Sequence, residues 1–288
     1  MRLSIAIVSY NTAPLLVRCL ESITRYAADL EPEIIVVDNG SMDDSVALVQ
    51  ARYPAARLIL PGRNTFYSAG NNLAIRAAQG DAILVLNPDT ELHPGALQAL
   101  AAYLEANPAC GLATARQVWT DGRTTLPICS RFNTYADLWL GATFAGALLP
   151  VWREARRARM WYADWNRLSD REVDVAPGSC MLLRRAALEM VGLFDEAMPM
   201  YFSDDDLCWR LKARGYTVQY LAGAVITHAE RATTRHISRR ARQMYYADLA
   251  VYARKHFGRL RAAPLIAAAG LTRHLLDRRE AQPGLRAT

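Results

Sequence analysis

The sequence predicts an α/β protein built on a mostly parallel, doubly wound central sheet. Short apolar runs rich in β-branched residues alternate with stretches of helical periodicity through the first ninety or so positions, and most of the runs end in Asn, Asp, Gly or Ser. Strands joined by helical crossovers pair in parallel, and ligands of such sheets bind beyond the carboxyl ends of the strands. With 288 residues, there is room for one large domain or a domain with an appendage.

The elements follow in order. LSIAIVSYN at 3–11 is a continuous apolar run and reads as a buried strand rather than a signal peptide, since it is short and lacks a small-residue cleavage site. Residues 14–26 carry apolar positions at helical spacing. EIIVVDNGS at 33–41 is a second buried strand with a helix over 43–53; ARLILPG is a third strand, 69–79 a third helix, and DAILVLNPD at 81–89 a fourth strand. Ser9, Tyr10 and Asn11 close the first strand, Asp38, Asn39, Gly40 and Ser41 the second, and Asn87 and Asp89 the fourth. Each cluster alone is an ordinary turn, because these are the residues turns require. Three of them on one sheet edge point to a site. No G-x-G-x-x-G follows the first strand and no G-x-x-x-x-G-K-[ST] occurs, so bound phosphates would need a cation in place of a glycine-rich loop.

The charge is uneven. Residues 231–288 hold thirteen Arg or Lys against three Asp or Glu, a formal +10, while the whole chain is +6, which leaves −4 on residues 1–230. Apolar and basic residues alternate at helical spacing over 262–276, as in helices that lie on anionic membranes, so a peripheral membrane contact is expected in preference to nucleic acid. The longest apolar stretch, 138–152, is shorter than the roughly 20 residues needed to span a bilayer. Five scattered cysteines without a C-x-x-C pair suit a reducing cytoplasm. The segment 150–167 mixes Arg with Trp and Tyr, a composition suited either to a lipid-linked diphosphate or membrane surface or to an amphipathic helix packed on the domain.

The densest acidic feature lies late. Asp204, Asp205 and Asp206 stand at a loop-to-helix junction, ahead of a basic helix that stops at Gly215. Acids in a first turn complement the helix dipole, and Ser203 or Asp204 is a good N-cap. LVLNPDTEL at 84–92 supplies a second acidic element. If the two meet, one set can hold a metal while the other takes a proton.

Taken as an ordered set, IAIVSYN, IIVVDNGSMDDS, GRNTFYSAGNNLAI, LVLNPDTEL, PGSCMLLRR, GLFDEAMPMYFSDDDLCWRLKARGY and ITHAERAT resemble the family 2 glycosyltransferases of the GT-A fold, most closely the rhamnosyltransferase-like branch that builds bacterial surface polysaccharides. The resemblance covers about residues 3–235. It implies a Rossmann-like, mostly parallel sheet flanked by helices in a domain over 1–235, with a nucleotide-sugar half over 1–115 and an acceptor and catalytic half over 116–235, followed by a basic helical extension over 236–288. It further implies that Ser9, Tyr10, Asn11, Asp38, Asn39, Gly40, Asn64, Gly70, Asn72 and Asn87 bind the nucleotide sugar, with Asp38 accepting the imide N–H of a uracil or thymine. The donor is then a dTDP- or UDP-linked sugar.

Asp89 resembles the last carboxylate of the family's D-x-D element and His228 the histidine that completes a Mg²⁺ or Mn²⁺ site, although Asn87 replaces the first carboxylate. Asp204 resembles the general base on the acceptor hydroxyl, with Asp206 second in rank. Gly178, Ser203 and Asp205 fall on the acceptor side, Ser203 standing where the family has glutamate. The implied activity is inverting, metal-dependent transfer of one sugar to a saccharide or lipid-linked saccharide, in the cytoplasm or on the cytoplasmic face of the membrane. Two rivals are kept: a sugar-1-phosphate nucleotidyltransferase, which would carry a glycine-rich basic loop after Val8, and a non-catalytic saccharide-binding relative, to which the Ser203 and Asn87 departures give weight. A processive synthase is disfavoured by the missing Q-x-x-R-W motif.

Overall fold

The computed structural model describes residues 1–229 and 239–281; the end of ITHAERAT lies outside the described residues. The elements run β1 (Leu3–Ser9), α1 (Ala13–Tyr26), β2 (Glu33–Asp38), α2 (Ser45–Arg52), β3 (Arg57–Ile59), α3 (Phe66–Ala77), β4 (Ala82–Leu86), β5 (Thr90–Leu92), α4 (Ala96–Ala106), β6 (Cys110–Val118), α5 (Tyr135–Ala142), α6 (Ala145–Leu148), α7 (Pro150–Met160), β7 (Arg171–Glu172), β8 (Cys180–Arg184), α8 (Arg185–Val191), α9 (Ser203–Ala213), β9 (Thr217–His228), α10 (Arg239–Phe257) and α11 (Arg259–Ala281).

The sheet has the order β3-β2-β1-β4-β8-β6-β9-β5, with β7 paired to β9. β1 to β4, β6 and β9 share one direction, whereas β5, β7 and β8 run against it. The predicted mostly parallel sheet is present, and its antiparallel members β5, β7 and β8 all follow the regular βα alternation of the first ninety residues.

Strand alternation divides the core. Ile5, Ile7, Leu84 and Leu86 pack with α1 and α4 on one face of the sheet, and Ala6, Ile83 and Val85 pack with α3, α8 and α9 on the other. Both faces are therefore buried, which is why these strands read as unbroken apolar runs. β1 and β2 stop short of the expected boundaries, since Asn11 turns at φ 52° and Gly40 at φ 79°. The expected fourth strand breaks after Leu86, and Thr90–Leu92 becomes β5, paired to β9 instead. α3 begins earlier than expected, at Phe66, so Gly70, Asn71 and Asn72 lie in its second turn, buried, rather than at its amino terminus.

α10 and α11 are not a loose appendage. They form a third core with α5 through Leu138, Leu249, Tyr252 and Leu265. α10 also clamps the segment leading into α9: buried Asp248 accepts the backbone N–H groups of Met200 and Tyr201 at 3.0 and 2.8 Å. Phe202, forced to φ 62°, packs against Tyr245 and Tyr252. A left-handed aromatic residue carries strain of about 1–3 kcal/mol, which this packing offsets.

Asp206 is the hub of that clamp. Its fully buried carboxylate receives Arg210 Nε at 2.8 Å, Lys255 Nζ at 3.0 Å and His256 Nε2 at 3.0 Å. Burial alone would raise its pKa, but His256, Lys255 and Arg210 outweigh burial and hold it at about 2. Truncating one member of such a cluster strands the others, so Asp206→Ala is expected to cost about 3–5 kcal/mol in denaturant unfolding at neutral pH. Because the folded-state pKa is depressed, this stability is present above the unfolded carboxylate value of about 3.9 and is lost as pH falls toward 2. The wild type should therefore lose more stability than Asp206→Ala between pH 5 and pH 3. Parallel acid titrations of the two proteins would contradict the hub.

Candidate active site

The carboxyl edge of the sheet gathers the chemistry. In order across it lie Asp38 at the end of β2, Ser9 at the end of β1, Asn87 after β4, Ser179 before β8, Gln117 near the end of β6 and His228 at the end of β9. β8 runs antiparallel to β4, and this brings its amino end to the same edge as the others' carboxyl ends.

At the nucleotide end, Asp38 is buried and its Oδ1 accepts the N–H groups of Gly40 and Ser41 at 3.1 and 2.8 Å. Its Oδ2 is buried with no partner. A buried acceptor left open in this way favours a ligand donor, because an unmade hydrogen bond there costs about 1–3 kcal/mol. Ser9 bonds Thr12, and Asn11 braces the neighbouring turn by receiving Met42 N–H and giving its own N–H to Ser41. Tyr10 is exposed.

Four of the other residues assigned to the nucleotide from sequence also make contacts within the fold. The Asn39 amide holds Thr65 and the Phe66 carbonyl. Asn64 accepts the Phe66 N–H. Asn72 ties α3 to Phe194 and Glu196. Gly70 lets α3 approach β1, where a Cβ would meet Val8 Cγ1 at 2.8 Å.

Asp89 and His228 come together through the register of β5 on β9, in which Thr90 pairs with His228 and Asp89 O receives Ala229 N–H at 3.0 Å. The carboxylate Oδ1 lies 3.3 Å from His228 Nε2, with the two side chains 11% and 13% exposed. The other ring nitrogen, Nδ1, lies 3.1 Å from Gln117 Oε1, and Gln117 Nε2 donates to Ser179 Oγ at 2.6 Å. With Nδ1–H donating to Gln117 Oε1, Nε2 would be free to ligate a cation placed between it and Asp89. A carboxylate and an imidazole are fitting ligands for a hard or borderline divalent cation. Among the described residues no third His, Cys, Asp or Glu joins them. Diphosphate oxygens and water commonly fill the remaining positions around Mg²⁺.

His228 and Gln117 open into a cavity of about 920 Å³, and Asp204 and Asp205 line it too. Asp204 is fixed by the Gly178 N–H at 3.2 Å and the Asp205 N–H at 3.1 Å. Gly178 has to be glycine here: a Cβ would stand 2.5 Å from Tyr67 Oη, which donates to the Gly178 carbonyl at 2.7 Å. Burial pushes the Asp204 carboxyl above its ordinary range despite these backbone donors. Asp205, bonded to Asn133 at 3.2 Å, is pushed well above by burial and then by the Asp204 charge. The two adjacent carboxyls form one pair held above the ordinary range, in which ionisation of one opposes ionisation of the other. Ser203 is buried with its hydroxyl unpartnered, and Asp206 is held against α10. Gln117, Ser179, Tyr67 and Asn133 carry no sequence signal, since each lies inside an ordinary strand, helix or loop pattern.

This fold and this edge define a glycosyltransferase of the GT-A type. The chain belongs to glycosyl transferase family 2, whose family model matches residues 4–192. It is 30% identical over 243 residues to the N-acetylglucosaminyl-diphospho-decaprenol L-rhamnosyltransferase of Mycobacterium tuberculosis, covering 81% of this chain and 77% of the relative. It is 28% identical over 239 residues to the O-antigen biosynthesis protein RfbC of Myxococcus xanthus, covering 80% of this chain and 17% of that one. The fold is shared with the mannosyltransferase PcManGT of Pyrobaculum calidifontis, solved with GDP-Man and Mn²⁺ (TM-score 0.58, 19% identity, 98% of this chain and 76% of that one). It is also shared with S. aureus TarS 1-349 (TM-score 0.59, 16% identity, 100% and 76%).

The carboxylate pair can be tested without substrate. In ¹³C NMR titration of the aspartates, one carboxyl should titrate well above the ordinary range. In Asp204→Asn the Asp205 signal should move down, because a neighbouring charge is gone although burial remains. An Asp205 titration unmoved by that change would count against charge coupling.

Proposed function

We propose that the chain transfers a single sugar from a dTDP- or UDP-linked donor to the hydroxyl of a saccharide or lipid-linked saccharide, with inversion, in the synthesis of a surface polysaccharide. The carrying observation is that Asp204 and His228 line one cavity while Asp89 contacts the far nitrogen of the same imidazole. Rhamnose is the sugar suggested by the mycobacterial relative, and that relative's name also motivates a lipid-linked acceptor.

The open Oδ2 of Asp38 supports a pyrimidine, whose imide N–H can fill it. Asp89 and His228 would hold a Mg²⁺ or Mn²⁺ together with the donor, and Lewis-acid offset of charge on the departing diphosphate is what that ion supplies. Asp204, when ionised, accepts the proton of the acceptor hydroxyl as its oxygen attacks. One base and direct attack need no covalent intermediate, so the anomeric configuration inverts. Asp206 holds the helix that presents the base. A nucleotidyltransferase would release pyrophosphate, and a non-catalytic relative would turn over no donor.

Asp204→Asn is expected to lower kcat by about 10²–10⁴-fold with donor binding retained. The acid limb of the wild-type rate profile should lie above the ordinary carboxylate range, since the base works only when ionised and its pKa is raised. Undiminished turnover in Asp204→Asn would remove Asp204 from the mechanism.

Gln117→Leu removes the group that orients His228 without touching either ion ligand. The affinity for Mn²⁺ in the presence of UDP, measured by calorimetry, should fall about 10–100-fold. Equal affinity in wild type and variant would mean that the Gln117 contact does not prepare the imidazole.

A further inference from the structure

Among the described residues, the corner between α6 and α7 presents a continuous run of exposed apolar side chains. Leu148 is 80% exposed, Val151 78% and Trp152 67%, and Leu149 and Pro150 between them are exposed as well. Such a run in water is unfavourable unless something covers it. The basic residues that follow fall into two sets. Arg156 and Arg159 turn inward to Asp137 of α5. Arg153 and Arg157 point outward, with no acidic partner among the described residues. Arg157, with Glu154, Ala158 and Trp161, also lines the cavity that holds Asp204.

The basic carboxyl-terminal helices are a weaker candidate for the same surface. Arg242, Lys255 and His256 of α10 are spent on Asp277, Glu280, Asp195 and Asp206. Of the exposed leucines of α11, Leu271 and Leu275 lie one turn apart, but Leu260 stands about 16 Å along the axis from Leu271. Among the described residues, neither helix lines the cavity.

We propose that the α6–α7 corner seats in the interface of a bilayer carrying anionic phospholipid. Leu148, Val151 and Trp152 enter the boundary between headgroups and acyl chains, and Arg153 and Arg157 meet the lipid phosphates. Clustered aliphatic and indole side chains beside unpaired guanidinium groups suit such an interface, where the rings find both an apolar and a wet side. The contact sets the cavity mouth at the membrane plane, where the sugar of a lipid-linked acceptor would stand. That purpose rests on the proposed acceptor; the binding does not. It also moves the membrane contact from the carboxyl-terminal extension, where the charge count alone located it, to the middle of the chain.

The test is co-sedimentation of the full chain with phosphatidylcholine vesicles with and without phosphatidylglycerol. The wild type should bind the anionic vesicles, and Leu148→Ser, Val151→Ser and Trp152→Ser combined should weaken that binding by at least about tenfold. Arg153→Glu should weaken it most at low salt. The serine variant should still transfer sugar to a water-soluble acceptor, so loss of docking and failure of the enzymatic reading are distinguishable. No vesicle binding by the wild type would overturn the proposal. So would binding untouched by the serine variant but lost on Leu260→Ser with Leu271→Ser, or a wild-type dimer that the serine variant makes monomeric.

Discussion

Three consecutive aspartates on the first turn of a helix cannot do the same work. Successive residues of an α-helix point about 100° apart, so Asp204, Asp205 and Asp206 are obliged to enter three different environments. Asp204 meets the Gly178 N–H in the cavity, Asp205 meets Asn133, and Asp206 turns to the cations of α9 and α10. The third carboxylate is consumed in fixing the helix so that the first can be presented. The sharpness of that division depends on Phe202, whose left-handed backbone starts the helix and which α10 holds in place.

The second constraint is the β5–β9 ribbon. A three-residue strand is short, yet its register decides which side chains share the sheet edge. Thr90 opposite His228 sets Asp89 against the imidazole. A slip of one residue would turn His228 to the other face, where Thr227 now bonds His93. The carboxylate that follows β4 and the histidine that ends β9 are therefore joined by backbone pairing before any ligand arrives.

Much of this was legible in the residues. The βα alternation of the first ninety positions, the polar strand ends and the two acidic elements all carry local signals, and these elements appear close to where the sequence put them. What escaped was set by tertiary contacts. The start of α3 at Phe66 depends on Asn39 and Asn64 holding residues 65 and 66, contacts between segments that no periodicity encodes. In a sequence, amides such as those of Asn39 and Asn72 look the same whether they brace the fold or meet a ligand, because amides serve both purposes. Gln117, Ser179 and Tyr67 were invisible for the opposite reason: nothing in a strand or helix pattern distinguishes a side chain that orients a neighbour from one that merely packs. Ion pairs within the fold absorb part of the basicity of α10, which a charge count along the chain does not show.

The most direct measurement is a crystal structure with Mn²⁺ and a nonhydrolysable pyrimidine diphosphate sugar. The account predicts an anomalous manganese peak within coordinating distance of Asp89 Oδ1 and His228 Nε2, the base edge on Asp38 Oδ2, and the anomeric carbon facing Asp204. A manganese peak remote from Asp89 and His228, or a sugar whose open face points away from Asp204, would contradict it.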